Sequence, residues 1–122
     1  MATHEQKNLN SPDETRPFGH GRIQIVEIGG GHVGRSYLEP GWRWSTDVKP
    51  IAKTDSCMAP HFGFILRGQM TLRMDDGTEA TYKAGDVAVI PPGHDAWVVG
   101  DEPVEFIDWA GAAHYAKQAM AA

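Results

Sequence analysis

The chain has one cysteine, Cys57, in 122 residues. No internal disulfide can form, so a crosslinked framework is excluded. No apolar run approaches the roughly 18–20 residues that a membrane-crossing helix needs. The opening Met1-Ala2-Thr3-His4-Glu5-Gln6-Lys7 has no apolar core like that of a secretory leader. These absences lead to the expectation of a cytoplasmic protein that does not engage a membrane. Positive charge is also scarce, with 11 Lys and Arg against 16 Asp and Glu and a net charge of −5. Neutralising phosphates takes clustered cations, so nucleic acid is not an expected partner.

What remains is the composition of an ordinary globule, 41% hydrophobic and 22% charged, long enough for one domain with its own core. Residues 61–97 organise it. From His61 to Leu66 the residues split by parity. His61, Gly63 and Ile65 fall on one face, and Phe62, Phe64 and Leu66 on the other, because side chains alternate along a strand. After Gly68, residues 69–75 alternate again, with Met70, Leu72 and Met74 sharing a face. Asp75-Asp76-Gly77-Thr78 predicts a hairpin, residues 78–83 return as a strand, and Ala84-Gly85-Asp86 turns the chain. Val87–Ile90 is too short an apolar run for a helix. Pro91-Pro92-Gly93 stops it, residues 96–99 resume extended, and Val104–Trp109 closes as a last strand.

Residues 1–20 are polar and broken by Pro12 and Pro17, and read as a flexible N-terminal arm or as a segment that orders only against a partner subunit. Residues 22–28 form the first strand of this reading. Gly29-Gly30-Gly31-His32-Val33-Gly34 contains G-x-G-x-x-G but is rejected as a dinucleotide site. The fingerprint needs a helix opening on its last glycine, and only five residues separate Gly34 from Pro40. A short strand over 35–39 follows. Trp42-Arg43-Trp44 then reads as extended, with two indoles on one face, and 46–56 as polar and irregular. The two tryptophans serve either as core or as the lining of a ligand pocket, where Arg35 or Arg43 would clamp a carboxylate. Residues 111–122 read as a short alanine-rich helix, marginal unless docked.

Two motifs carry a resemblance. Gly85-x5-Pro91-x-Gly93 matches the second motif of the cupin superfamily, G-x5-P-x-G-x2-H, and His61-x6-Gly68 matches the end of the first, H-x-H-x3-4-E-x6-G. The chain thus resembles a small cupin over roughly residues 35–110. The resemblance implies an all-β double-stranded β-helix barrel spanning 21–110, a small-molecule site inside it, and a homodimer that covers open strand edges. The metal-ligand positions are rewritten. His61 stands where the family has glutamate, Asp55 and Cys57 fall on the histidine positions, and the histidine of the second motif falls on Ala96, two residues after His94. Asp95 is the neighbouring alternative.

On one straight strand, Cys57 and His61 would lie about 13 Å apart, too far to share a metal. Met58-Ala59-Pro60 makes a turn, and a turn brings them together. Cys57, His61 and His94 are therefore the candidate metal ligands. Thiolate plus imidazole suits zinc, iron, copper or nickel better than magnesium or calcium. Three ligands with an open position suit chemistry better than structure. Arg35, Trp42, Arg43, Trp44, Met70, Leu72 and Trp97 are the candidate pocket residues. The leading expectation is a small organic molecule bound with a divalent metal inside the barrel. A metal-free binding or sensing module is the alternative, and a purely structural role with a plugged pocket comes third. The Cys57/His61 pair acting as a thiolate–imidazolium nucleophile ranks below metal binding.

Overall fold

The computed structural model describes residues 3–111. Nine strands and two single-turn helices follow in order: β1 (Glu14–Phe18), β2 (Gly21–Ile28), β3 (Gly31–Leu38), α1 (Trp44–Asp47), α2 (Lys49–Ala52), β4 (His61–Arg67), β5 (Gln69–Met74), β6 (Glu79–Lys83), β7 (Val87–Ile90), β8 (His94–Val98) and β9 (Val104–Asp108). They form two antiparallel sheets, one of six strands ordered β1-β2-β3-β9-β4-β7 and one of three ordered β6-β5-β8. This is the all-β double-stranded β-helix that the two motifs imply.

The core lies between the sheets. Ile23, Ile25, Leu38, Ile65, Ile90, Val104 and Phe106 come from the larger sheet, and Met70, Leu72, Ala96 and Val98 from the smaller. Each strand contributes by alternation, as in β7 with Ala88 and Ile90 buried while Val87 and Val89 are exposed. In β4 the inward face is the one with His61, Gly63 and Ile65, and the wholly apolar face points out, leaving Phe62 and Leu66 about half exposed. Gly63 allows this orientation. A Cβ there would stand 1.9 Å from the carbonyl oxygen of Ile107 and 2.7 Å from the Phe106 ring, so β9 can approach β4 only because the side chain is missing.

Four local expectations are corrected. Residues 1–20 are not an arm throughout, because 14–18 form β1 and pair residue by residue with β2 from Glu14↔Ile25 to Phe18↔Gly21. The buried position of β1 is Arg16, held by the Glu14 carboxylate at 2.7 and 3.0 Å, so apolar alternation gives no sign of this strand. Pro17 is tolerated because β1 is an edge strand. The Gly29-Gly30 turn is shorter than the glycine run suggests. Only these two residues, at φ 60° and 77°, connect β2 to β3, and Gly31 and Gly34 already pair in the ladder. Trp42-Arg43-Trp44 is extended only as far as Arg43, which bridges Trp97, because Trp44 opens α1, and 46–56 holds half of α1 and all of α2. Trp42, Trp44 and Val48 are all buried, the first two by alternation about the extended Arg43 and Val48 one helical turn after Trp44. The helix expected over 111–122 lies outside the described residues apart from Gly111.

Candidate metal centre and cavity

Cys57 and His61, expected to meet through a turn at Met58-Ala59-Pro60, do come together, with Cys57 Sγ 3.8 Å from His61 Nε2, although residues 58–60 form no regular turn. His94 enters from the start of β8. A bridge between Cys57 and His94, in which each backbone N–H donates to the other's carbonyl (2.7 and 3.3 Å), fixes the pair. One ligand atom from each of Cys57, His61 and His94 lies within 4.8 Å of the others, and all three residues are buried. Asp55 is exposed and takes no part. Asp95 faces elsewhere, accepting from the Ser45 N–H at 3.0 Å and pairing with Arg43 at 3.3 Å.

The sequence reading missed Asp108. Its Oδ2 sits 2.5 Å from His61 Nδ1, and its Oδ1 accepts from the backbone N–H groups of Ala110 (3.0 Å) and Gly111 (3.1 Å). A signal was there, because Val104, Phe106 and Asp108 share the inward parity of β9. A carboxylate on an otherwise apolar inward face needs a partner. Gly111 closes the arrangement, since a Cβ there would stand 2.8 Å from His61 Nδ1 and 2.9 Å from Asp108 Oδ2.

These contacts set the protonation of the cluster. Burial pushes the Cys57 thiol up, but hydrogen bonds with His61 and His94 outweigh it and bring the thiol down to about 6. Burial likewise opposes an imidazolium at His61, but the hydrogen bonds to Asp108 and Cys57 prevail and raise it to about 9. Burial raises the Asp108 carboxyl, and the bond from His61 more than reverses this, holding it below the usual range. Without metal, these contacts pull the Cys57 thiol toward the thiolate and His61 toward the imidazolium, with the ring oriented by the Asp108 carboxylate.

The donor set fits a transition metal. Ligand bonds of about 2.0–2.3 Å at tetrahedral angles separate a sulfur and a nitrogen by about 3.5 Å, close to the 3.8 Å found. Both histidines are also prepared as Nε2 donors. His61 Nδ1 faces Asp108, and His94 Nδ1 lies 2.9 Å from the Pro91 carbonyl oxygen. A carboxylate and a carbonyl can only accept, so each Nδ1 carries a hydrogen and each neutral ring keeps its lone pair on Nε2. Such outer partners are how proteins fix the tautomer of a ligating histidine.

A small cavity adjoins the cluster. Its polar lining comes from Ser36, His61 and His94, and its walls from Trp42, Trp44, Met70 and Leu72 together with Leu38, Ile90, Ala96 and Phe106. The centre of a water molecule has about 30 Å³ in which to move, room for two or three waters. Cys57 does not line this cavity, which weakens the reading of it as a nucleophile toward a molecule bound there. The remaining pocket candidates lie outside. Arg35 donates to Gln24 Oε1 (2.7 Å) and Asn10 Oδ1 (3.0 Å). Arg43 stacks on the Trp97 ring, its guanidinium carbon 4.5 Å from the centroid. The expected arginine clamp is therefore absent from the cavity lining, and Trp97 belongs to the Arg43 stack instead. Arg35 and Arg43 each sit at the outward parity of their segment, which turns a charge to solvent whatever the neighbouring residues line.

Comparison with known proteins agrees with the architecture. A family model described as a cupin domain matches residues 57–110. An RmlC-like cupin from Shewanella frigidimarina superposes with a TM-score of 0.61 at 14% identity, covering 92% of this chain and 95% of that one. A cupin-like protein from Thermotoga maritima gives 0.57 at 17%, covering 88% and 84%. The oxalate decarboxylase of Lactobacillus farciminis, solved as a formate complex, gives 0.59 at 18%, covering 84% of this chain. This chain spans only 32% of that decarboxylase. At these identities the likenesses establish the fold alone. No curated protein matches the chain. Residues 57–110 match a cupin domain, and the barrel has the fold of these cupin structures.

Proposed function

We propose that this cupin domain binds a small organic molecule in its barrel cavity beside a divalent transition metal held by Cys57, His61 and His94. The observation that supports this most directly is the double preparation of the histidines. Each has its Nδ1 engaged by an acceptor, which leaves both Nε2 atoms for one ion beside the Cys57 sulfur. A bound zinc, iron, copper or nickel ion would supply a Lewis acid, or for the redox metals an electron-transfer centre. The residues themselves do the rest. Asp108 orients His61 and accepts its Nδ1–H, Pro91 does the same for His94, and the apolar walls exclude water from the ligand.

A metal-free binding module is the second reading. The already satisfied Cys57–His61 pair favours it, since metal must displace the proton that His61 shares with Cys57. Elemental analysis of untagged protein separates the two. Stoichiometric metal in the wild type, lost in His61→Ala and reduced or exchanged for another metal in Cys57→Ser, is the expected result. No metal after reconstitution under reducing conditions sinks the metal reading and leaves the binding module.

We also propose a homodimer. Phe62, Val87 and Val89 are 52%, 65% and 73% exposed. They lie on the outer face of paired β4 and β7, beside the open edge of β7 among the described residues. An apolar face next to an open strand edge is a surface that needs covering.

A further inference from the structure

Ser36 is 5% exposed and points inward from β3, whose buried residues are Gly34, Ser36 and Leu38. It stands between Ile23 of β2 and Phe106 of β9 and lines the cavity. Its hydroxyl has no hydrogen-bond partner among the described residues, yet it is not sealed off, because Trp42 Nε1 is the one sealed side-chain nitrogen or oxygen there without a partner. Ser36 Oγ therefore keeps surface that a water-sized atom can touch. On a residue that faces inward and lines the cavity, that surface opens into the cavity. A buried hydroxyl costs free energy until something bonds to it, and a serine hydroxyl can both donate and accept. We infer that Ser36 is the specificity-determining residue of the cavity, and that its hydroxyl bonds the hydroxyl or carbonyl oxygen of a short uncharged molecule.

Charge and size set that class. No lysine or arginine lines the cavity, and the Asp108 carboxylate stands directly behind His61. With a divalent ion on the cluster, the Cys57 thiolate and the Asp108 carboxylate already balance its two charges. Without one, Asp108 offsets any charge on His61. An anionic ligand would therefore lie buried with no counterion, which is costly. The walls of Trp42, Trp44, Met70 and Leu72 suit an alkyl group, and room for two or three waters admits about the bulk of acetamide. The inference rests on the cavity of the proposed function and not on its metal.

The test uses full-length protein with carbon-13 in its methionine methyl groups, metal-loaded and metal-stripped, titrated with acetamide and with acetate. Met70 lines the cavity, and its signal is assigned by Met70→Leu. Acetamide should move that signal saturably in at least one metal state, and acetate should bind more weakly. Ser36→Ala should weaken acetamide about 3- to 10-fold. Without ligand, Ser36→Ala should melt at or above the wild-type temperature, because it loses no bond within the fold. A fall of more than about 2 °C means that the hydroxyl already has a partner in the fold, and overturns the inference. Acetate binding as tightly as acetamide overturns it as well. Acetamide binding equally well to Ser36→Ala does the same, while leaving the cavity as a site for organic molecules. A Met70 signal that neither probe moves also ends the inference, and elemental analysis alone then decides the metal. An acetamide response weakened by Ser36→Ala, in protein that takes up no metal, sustains the inference and ends the metal reading.

Discussion

His61 Nδ1 and Asp108 Oδ2 stand 2.5 Å apart although 47 positions separate the residues in sequence. The contact joins the start of β4 to the end of β9, adjacent strands of the larger sheet. It fixes which His61 nitrogen faces Cys57. It also makes the carboxylate an integral part of the site, because its other oxygen is tied to the backbone at Ala110 and Gly111.

Asp108→Asn tests that orienting role. The asparagine Oδ1 can still accept from the two backbone N–H groups, while the charge that holds His61 is gone. Metal affinity, measured by competition with a chelator, should fall about 10- to 100-fold with a cooperative melt retained. Unchanged affinity would mean that Asp108 serves only the turn after β9.

Gly63→Ala should be among the most damaging single-methyl additions to the barrel. The new Cβ would meet the Ile107 carbonyl oxygen at 1.9 Å and the Phe106 ring at 2.7 Å, and neither backbone nor packed ring can retreat cheaply. A loss of about 1–3 kcal/mol or more is expected in urea unfolding. A loss within a few tenths of wild type would contradict the close approach of β4 and β9.

His20 should make stability depend on pH. Its Nδ1 lies 3.0 Å from Asp47 Oδ1, and that bond, with the attraction of the carboxylate, raises its pKa above 6.5. A raised folded-state pKa contributes stability that is fully present below about pH 6.5 and is lost as pH rises through the folded value. His20 also sits at φ 58°, so Asn is the replacement least strained by the backbone. The melting temperature of wild type minus that of His20→Asn should shrink between pH 5.5 and pH 8.5. A constant difference would remove the linkage.

Val89→Lys tests the proposed dimer. Val89 is 73% exposed and pairs with Phe62 on the outer face. A charge there should convert a wild-type dimer to monomer in sedimentation, leaving the melt of the barrel cooperative. A wild type that sediments as a monomer at micromolar concentration ends the dimer proposal.

Much of this was legible in the chain. Asp75-Asp76-Gly77-Thr78 forms the β5–β6 hairpin with Gly77 at φ 90°, because that turn is set by its own residues. The glycine and proline of the second motif place β7 and β8, and His94 lies two residues before Ala96 on the same inward face. A turn at Met58-Ala59-Pro60 is the expected way for Cys57 and His61 to meet, and their side chains do meet, but without a regular turn between them. β1 was not legible, because its inward residue is an arginine satisfied by a neighbouring glutamate. The exclusion of Arg35 and Arg43 from the cavity was readable from parity, because Ser36 beside Arg35, and Trp42 and Trp44 beside Arg43, take the inward positions.

The sequence by itself determined the turns, the strand periods and the identity of the donors, because each depends on residues within a few positions of one another. The motif resemblance placed His61 inside the barrel, but only the tertiary structure showed what lets that face of β4 turn inward. Parity offered an apolar face and a histidine face, and hydrophobicity alone would bury Phe62 and Leu66. The histidine face is buried because Gly63 admits β9 and because β9 carries Asp108 to satisfy the imidazole. Gly63 lies in β4 itself, but β9 and its Asp108 lie more than 40 residues away along the chain, and they act on His61 only when the strands are side by side.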